Sequence, residues 1–546
     1  MSADTHRTHI MTMRSSLPAS RKCLSLLALT FFLGGIDNTA NALDVSTEIT
    51  KIAESSGLAR HSIAYCVIDA ATGETVAARN ADAPMAPASN MKVLTTGAAL
   101  LRLGSEFRFQ TRLVASAVSE GATPAVRLTV VGSGDPALGD PELLKNCSWV
   151  DENGTVHQGL GTTELLASWV NGVRSAGITR VTEVVVDARM FESEGFHPSW
   201  PVEQAAAPFC AEVWGLNFHA NTLDILPKVV GKSATIGAMD PPYDWLQSTA
   251  ASAGKKSNKA FWVGRAPGSN ALSYGGNVVA NPKDQLALTV HDTPVLFAEL
   301  LARRLRAEGI EVQSSRVANA NDPSPAGTII GAVFQTPISV VLKRANTDSQ
   351  NLYAECLFKR LGCAVANHPL DSDTILPSPT VRPGSWANGA QALRDIVAQR
   401  VDANTAQSWV IADGCGLARE NRVTAAGLAR WLRSFAIDAQ FAATYFDSFA
   451  VAGSTGTVSK RFNGLEKYRT TVQCKTGYIR GVSCLCGRVD SGDGRQLLFA
   501  ILGNNLSGDG VGKAKKLQED IVWKLVRELE PTPLKSDANS ATKSRN

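Results

Sequence analysis

The chain has little that would serve a metal, a phosphate or a nucleic acid. Beyond residue 42 its histidines are His61, His157, His197, His219, His291 and His368, scattered without paired ligand spacing, which argues against a metal centre. Gly132-Ser133-Gly134-Asp135 is too short for a phosphate-cradling loop and lacks its lysine. No cofactor is implied. Charged residues make up 19% of the chain and the formal net charge is +4, so no basic footprint for nucleic acid stands out. No internal repeat is evident, and no segment approaches the roughly 20 apolar residues of a membrane-spanning helix. What is present is 44% hydrophobic residues spread along 546 positions, the pattern of a soluble globular protein long enough for two to four domains.

The two ends read differently. Arg21 and Lys22 precede an apolar run from Cys23 to Gly35, and Ala40-Asn41-Ala42 has the small-x-small form of a cleavage site before Leu43. Residues 1–42 therefore read as a cleaved export signal, and Cys23, ahead of the apolar run, is not read as a lipid-attached cysteine. Four basic and two acidic residues leave with it, so the net charge falls from +4 to +2. Nine cysteines remain, an odd number for an oxidising compartment, so some thiol is expected to be free and no connectivity is inferred. Residues 531–546 have almost nothing to bury and read as a disordered tail.

Three short segments carry chemistry. Ser89-Asn90-Met91-Lys92 opens a run, Pro87 to Leu101, whose proline start, apolar spacing and closing Gly104 predict a helix. A spacing of three puts Lys92 on the same side as Ser89, one turn on, where a lysine of depressed pKa can take the proton of a serine nucleophile. Ser349-Gln350-Asn351 precedes the helical segment Leu352 to Phe358, and so exposes a hydroxyl and an amide together on a loop. There the serine can relay a proton and the amide can hold substrate and lysine. Lys475-Thr476-Gly477 continues the β-branched stretch Tyr468 to Cys474 and is followed by strand-like segments at Gly481 to Gly487 and Gln496 to Leu502, which places it at the lip of a sheet. Its lysine and threonine would meet a ligand carboxylate, and Gly477 would let substrate lie against the strand.

Alone, each motif reads as something ordinary: a helix cap with a solvated lysine, a capping segment, a turn. Ser-x-x-Lys also occurs at Ser252, in a Gly- and Lys-rich loop, and at Ser540 in the tail, where Ser544 gives a second Ser-x-Asn. The three together in this order are the recognised set of serine β-lactamases and penicillin-binding proteins. The chain resembles the serine D-alanyl-D-alanine carboxypeptidases and endopeptidases of the family that includes penicillin-binding protein 4, the low-molecular-mass class C penicillin-binding proteins. The likeness extends to Gly132-Ser133-Gly134-Asp135-Pro136, to Asp413-Gly414-Cys415-Gly416-Leu417-Ala418-Arg419, to Gly453-Ser454-Thr455-Gly456-Thr457 with Arg461, and to Gly503-Asn504-Asn505. It covers residues 43–528. Cys415 stands where that loop has serine, and Tyr478 where a small hydroxyl residue commonly follows Lys-Thr-Gly. Cys415 and Cys474 read as packed small residues.

The resemblance implies an α+β fold, the penicillin-binding-protein/β-lactamase-like transpeptidase fold, with an antiparallel sheet covered by helices and inserted β-rich subdomains. The 260 positions between Ser89 and Ser349, against 126 between Ser349 and Lys475, leave room for such an insert. Residues 43–106 and 281–530 are expected to form the catalytic domain and residues 107–280 the insert, with strands near Arg127–Gly132, Val181–Asp187 and Asn221–Leu226. By the same resemblance Ser89 is the nucleophile, Lys92 its base and Ser349 a proton relay. Asn351, Lys475, Thr476, Gly477 and Tyr478 bind substrate, with the backbone N–H groups of Ser89 and Tyr478 holding the oxyanion. The implied partners are peptidoglycan stem peptides and, as covalent inhibitors, β-lactams. The implied location is the periplasm, with room for peripheral membrane association. A β-lactamase or esterase of the same serine-lysine type, and a non-catalytic wall-binding scaffold, are the alternatives.

Overall fold

A computed structural model describes residues 10–12, 38–118, 125–150, 155–230, 233–243, 261–275, 285–365, 368–369 and 381–534. Ser252, Ser540 and Ser544, most of the expected leader and the tail from residue 535 lie outside them. The expected cleavage point falls within the helix Asn38–Ser55, and Ile10–Thr12 lies as a parallel strand against Val333–Gln335. No helix of the described residues is long and apolar enough to cross a membrane.

A six-stranded antiparallel sheet is ordered Ala450–Val451, Thr471–Ile479, Val482–Asp490, Gln496–Gly503, Ile63–Asp69, Thr75–Arg79. Its strands are apolar on both sides because both faces are covered. In Gln496–Gly503, Leu498, Ala500 and Leu502 enter one core while Leu497, Phe499 and Ile501 enter another, as the two-residue period of a strand demands. The first core packs under the helices Met91–Leu103, Asn351–Gly362, Trp386–Arg400 and Ala425–Ala436. The second packs under Asn38–Ser55 and Gly510–Leu529.

A second sheet is made of Thr328–Pro337, Arg108–Val118, Ala125–Val131, Arg180–Asp187 and Glu311–Val317, with Ile10–Thr12 at its edge. It is mixed: Arg180–Asp187 runs parallel to both its neighbours. Such parallel pairs need crossover connections, supplied here by the helices Thr162–Ser175 and Thr293–Ala307, which share the sheet's core through Trp169, Val173, Phe297 and Leu301. This corrects the boundary expected at residue 281. The helix Thr293–Ala307 and the two strands after it return to the inserted sheet. The chain rejoins the helical layer only at Ile338–Asn346, whose Ile338, Val341, Leu342 and Ala345 enter the catalytic core. Strand pairing across some 200 residues decides this, and local composition does not carry it.

Candidate active site

The segment that carries Ser89 is a single turn of 3-10 helix, Ala88–Asn90, leading straight into Met91–Leu103. Three distant pieces of chain clamp it. The Asn504 side chain accepts from the Ala86 N–H at 2.8 Å and donates to the Ala86 carbonyl at 3.0 Å. Gly416, at φ +86°, lies so close to the Ala88 carbonyl that a Cβ there would stand 1.8 Å from the oxygen. A Cβ on Gly477 would meet Asn90 Oδ1 at 2.5 Å and the Pro87 carbonyl at 2.6 Å. The Cβ side of Gly477 therefore packs against the turn that carries Ser89. Ala88 itself sits at φ +46°, a left-handed conformation costly for a residue with a Cβ and held here by its surroundings.

Ser89 and Lys92 meet as their spacing predicts. Lys92 is fully buried, and its Nζ lies 3.0 Å from Ser89 Oγ, 2.7 Å from Asn351 Oδ1 and 2.9 Å from the Cys415 carbonyl oxygen. Two of these partners, the amide and peptide oxygens, can only accept. A neutral lysine has two N–H bonds and one lone pair, so with both N–H bonds committed to those oxygens the lone pair is left facing the Ser89 hydroxyl. Burial, the largest influence, holds the Lys92 pKa below that of an ordinary lysine, against the opposing pull of Cys415, Asp413 and Glu355.

Ser349 is the second residue other than glycine held left-handed in the crevice, at φ +62°, just before the helix that begins with Asn351. Its Oγ accepts from Lys475 Nζ at 2.7 Å; that ammonium also donates to the Thr476 carbonyl at 2.9 Å. Burial and then the charge of Lys92 drive the Lys475 pKa well down. Asn351 Nδ2 donates to the Phe209 carbonyl at 2.7 Å, so a turn of the inserted segment reaches the crevice. Thr476 Oγ1 lies 2.9 Å from Thr457 Oγ1. The Tyr478 ring turns away: it is 60% exposed, with Lys515 Nζ 5.8 Å from its centre. Hydrogen bonds thus join Ser89, Lys92 and Asn351 in one group and Ser349, Lys475 and Thr476 in another, while Gly477 packs against the Ser89 turn and the Tyr478 ring lies exposed.

Sequence reasoning missed the third partner of Lys92. Glu355 is buried one turn into the Asn351 helix; its Oε1 accepts from the Gly414 and Cys415 N–H groups at 2.9 and 2.6 Å and its Oε2 from Trp386 Nε1 at 2.8 Å. Asp413 accepts from the Gly416 and Ala418 N–H groups, Asn421 and Trp200. These two carboxylates shape the loop so that the Cys415 carbonyl points at Lys92. Glu355, Asp413 and Cys415 also cluster closely enough to suggest metal ligands, but the carboxylate oxygens are already occupied by N–H donors. The nine described cysteines are free thiols, and eight are buried.

The family model described as "D-Ala-D-Ala carboxypeptidase 3 (S13) family" matches residues 45–524. The chain belongs to that family. It is accordingly a peptidase, a hydrolase. Among curated relatives it is 27% identical to a D-alanyl-D-alanine carboxypeptidase of Actinomadura sp., over 86% of this chain and 82% of that one. It is 24% identical to the D-alanyl-D-alanine carboxypeptidase DacB of Haemophilus influenzae, over 90% and 94%. The crystal structure of penicillin binding protein 4 (dacB) from H. influenzae superposes with a TM-score of 0.65 at 21% identity, covering 88% of this chain and 99% of that chain, which establishes the penicillin-binding-protein fold for the S13 peptidase described here.

Proposed function

We propose that this peptidase is a serine D-alanyl-D-alanine carboxypeptidase/endopeptidase of peptidoglycan stem peptides, working in the periplasm through an acyl-enzyme on Ser89. The observation that carries the reading is the Lys92 amine, committed to two carbonyl oxygens and 3.0 Å from Ser89 Oγ. Ser89 attacks the penultimate D-alanine carbonyl while its proton passes to Lys92. The tetrahedral intermediate collapses as the terminal D-alanine nitrogen takes a proton through Ser349, whose hydroxyl is paired with Lys475. Water then resolves the ester and restores Ser89. The free carboxylate of the terminal residue is drawn by Lys475 and Thr476.

The backbone supports an oxyanion site at Tyr478. The Val472 carbonyl accepts from the Ala452 N–H on the outer edge of its strand. By the antiparallel period the N–H groups of Cys474, Thr476 and Tyr478 point to that same edge. Among the described residues no strand covers that edge past Cys474. A peptide can lie there, with its reacting carbonyl between the N–H groups of Ser89 and Tyr478, each such donor typically contributing about 3 kcal/mol. β-Lactams present a similar carbonyl and acylate the same oxygen.

The test is a fluorescent penicillin with the adduct located by mass, alongside release of D-alanine from a pentapeptide. An adduct on Ser89 together with release supports the peptidase. Rapid loss of the adduct as hydrolysed drug would indicate a β-lactamase, and no adduct a scaffold. Export is tested separately, by whether the mature protein begins at Leu43.

A further inference from the structure

Two places in the inserted segment gather charged side chains. One is a cavity of about 580 Å³ lined in part by Lys145, His219 and Asp240, where His219 Nε2 faces Asp240 Oδ2 at 3.7 Å and both partners belong to the segment. The other reaches out of it. Asp140, buried at the start of the short helix Pro141–Leu144, has one oxygen fixed by the Glu142 N–H at 2.8 Å. Its other oxygen, Oδ2, accepts from Arg344 Nη2 at 2.8 Å and from the Tyr353 hydroxyl. Arg344 belongs to the helix Ile338–Asn346 and Tyr353 to the helix Asn351–Gly362, so one carboxylate of the insert holds the two helices that meet at Ser349.

Arg344 in turn holds both neighbours of Ser349. Its Nη1 donates to Asp348 Oδ2 at 2.7 Å, and its carbonyl accepts from the Gln350 N–H at 3.2 Å. The planar fork of a guanidinium serves two carboxylates at once in fixed directions. The residues just before are anchored separately: Asn346 Nδ2 donates to Ser448 Oγ at 2.8 Å, and Thr347 Oγ1 to the Ser448 carbonyl at 2.8 Å. The chain is therefore fixed up to Thr347 without the Arg344 side chain, and from Asp348 to Gln350 by Arg344. Between those neighbours Ser349 lies at φ +62°, a conformation that a residue with a Cβ keeps only under constraint. From it the hydroxyl meets Lys475 Nζ at 2.7 Å.

We propose that Arg344, gripped by Asp140 of the inserted segment, is a positioning residue that keeps Ser349 left-handed and its hydroxyl on Lys475. The role rests on the reading of Ser349 as a proton relay. The insert then acts on the relay through a chain of bonds, from Asp140 to Arg344 to the two neighbours of Ser349. Asp348 also has a second route to the site: burial, the largest influence, lowers the Lys475 pKa, and the Asp348 carboxylate is among the charges that oppose it. The variants separate the two routes.

The Asp348 side chain is 37% exposed, so it can be replaced without opening the core. Acylation of the full chain by a fluorescent penicillin is followed to saturation. Asp348→Ala should lower the limiting rate about tenfold, with the half-saturating concentration within about twofold of wild type. Asp348→Asn keeps an oxygen for Arg344 but not the charge, and should stay within about threefold. In a Ser349→Ala background, Asp348→Ala should add no further loss. An Asn variant as slow as the Ala variant would assign the effect to charge on Lys475, and a full further loss on top of Ser349→Ala would assign it to another group; either overturns the proposal. Crystal structures of wild type and Asp348→Ala read the same point without chemistry. Ser349 should leave both the left-handed region and Lys475 in the variant, and an unchanged Ser349 overturns the proposal. A protein that takes no penicillin but shows this shift loses the relay reading and keeps the positioning role.

Discussion

The catalytic crevice and the cavity of the inserted segment both rest on left-handed backbone at residues other than glycine, and they part company at the buried nitrogen. Ala88 and Ser349 shape the crevice; His219, Ala220 and Asn221 shape the cavity. In the crevice Lys92 Nζ has three oxygen partners and Lys475 Nζ has two, all from the chain itself. In the cavity His219 Nε2 has one partner, Asp240 Oδ2 at 3.7 Å, and that pairing holds the Asp240 carboxyl below its ordinary range. Strained backbone marks where the chain has set aside its local preference, but only the polar accounting tells what for. A nitrogen with several oxygen partners is held in one direction, whereas one that faces a single carboxylate ties a turn to a strand.

The harshest way to break the comparison is to remove the matched amine. Lys92→Ala should slow penicillin acylation about 10³-fold or more, in line with the loss of a positioned general base. In the wild-type protein the acylation rate should rise with pH as Lys92 loses its proton, with a midpoint below the ordinary 10.5 because burial lowers that pKa. A variant within tenfold of wild type would mean that the three-partner amine is packing and not chemistry.

Next in size is the clamp. Gly416→Ala places a Cβ against the Ala88 carbonyl at a position already left-handed. Acylation should fall about 10- to 100-fold, as expected when reacting groups are displaced by a fraction of an ångström, and the melting temperature should drop by several degrees. Gly492→Ala is the control: also left-handed, at φ +76°, but with nothing within 4 Å. It should cost about 1 kcal/mol of stability and leave acylation unchanged. Equal effects of the two on acylation would show that close contact at Ala88 does not position Ser89.

What was legible in the sequence follows the same division. The Ser89–Lys92 contact is written in helical spacing, and Ser349 and Asn351 sit where a helix start was read, because local periodicity controls both. The Cys415 carbonyl was not legible: its direction depends on Glu355 holding two N–H groups 59 and 60 positions away and on the left-handed Gly416. That Asn90 packs over the Cβ side of Gly477 is visible only in the folded sheet. The sequence expectation ends the insert at residue 280, because nothing local tells the strands Glu311–Val317 and Thr328–Pro337 to pair backwards with Arg180–Asp187 and Arg108–Val118. The cross-strand pairing of Asp224 with Asp240 beside His219 appears only once the hairpin is formed.

Glu355→Gln sharpens the picture of how Lys92 is held. Burial, and after it the charge of Asp413, push the Glu355 carboxyl up to about 7 from an ordinary 4.5. A pKa raised on folding gives a stabilisation fully present below 4.5 and lost as pH climbs through about 7. The stability of wild type relative to Glu355→Gln should therefore decline by about 3 kcal/mol between pH 4 and pH 7.5, measured by denaturant unfolding. The glutamine also removes a charge that raises Lys92, so the ascending limb of the acylation rate should move to lower pH. A stability difference flat across that range, with the limb unmoved, would reduce Glu355 to packing.

The smallest effect is expected at Tyr478. Its ring is 60% exposed beside Lys515. Tyr478→Thr keeps the N–H on the outer strand edge, so acylation by penicillin should stay within about threefold of wild type. Tyr478→Pro removes that N–H at a strand position and should lower the rate about 10²- to 10³-fold, the scale of losing one oxyanion donor. Because proline also perturbs the strand, the contrast is read against the exposed ring: if threonine costs as much as proline, the side chain and not the N–H is what the substrate meets.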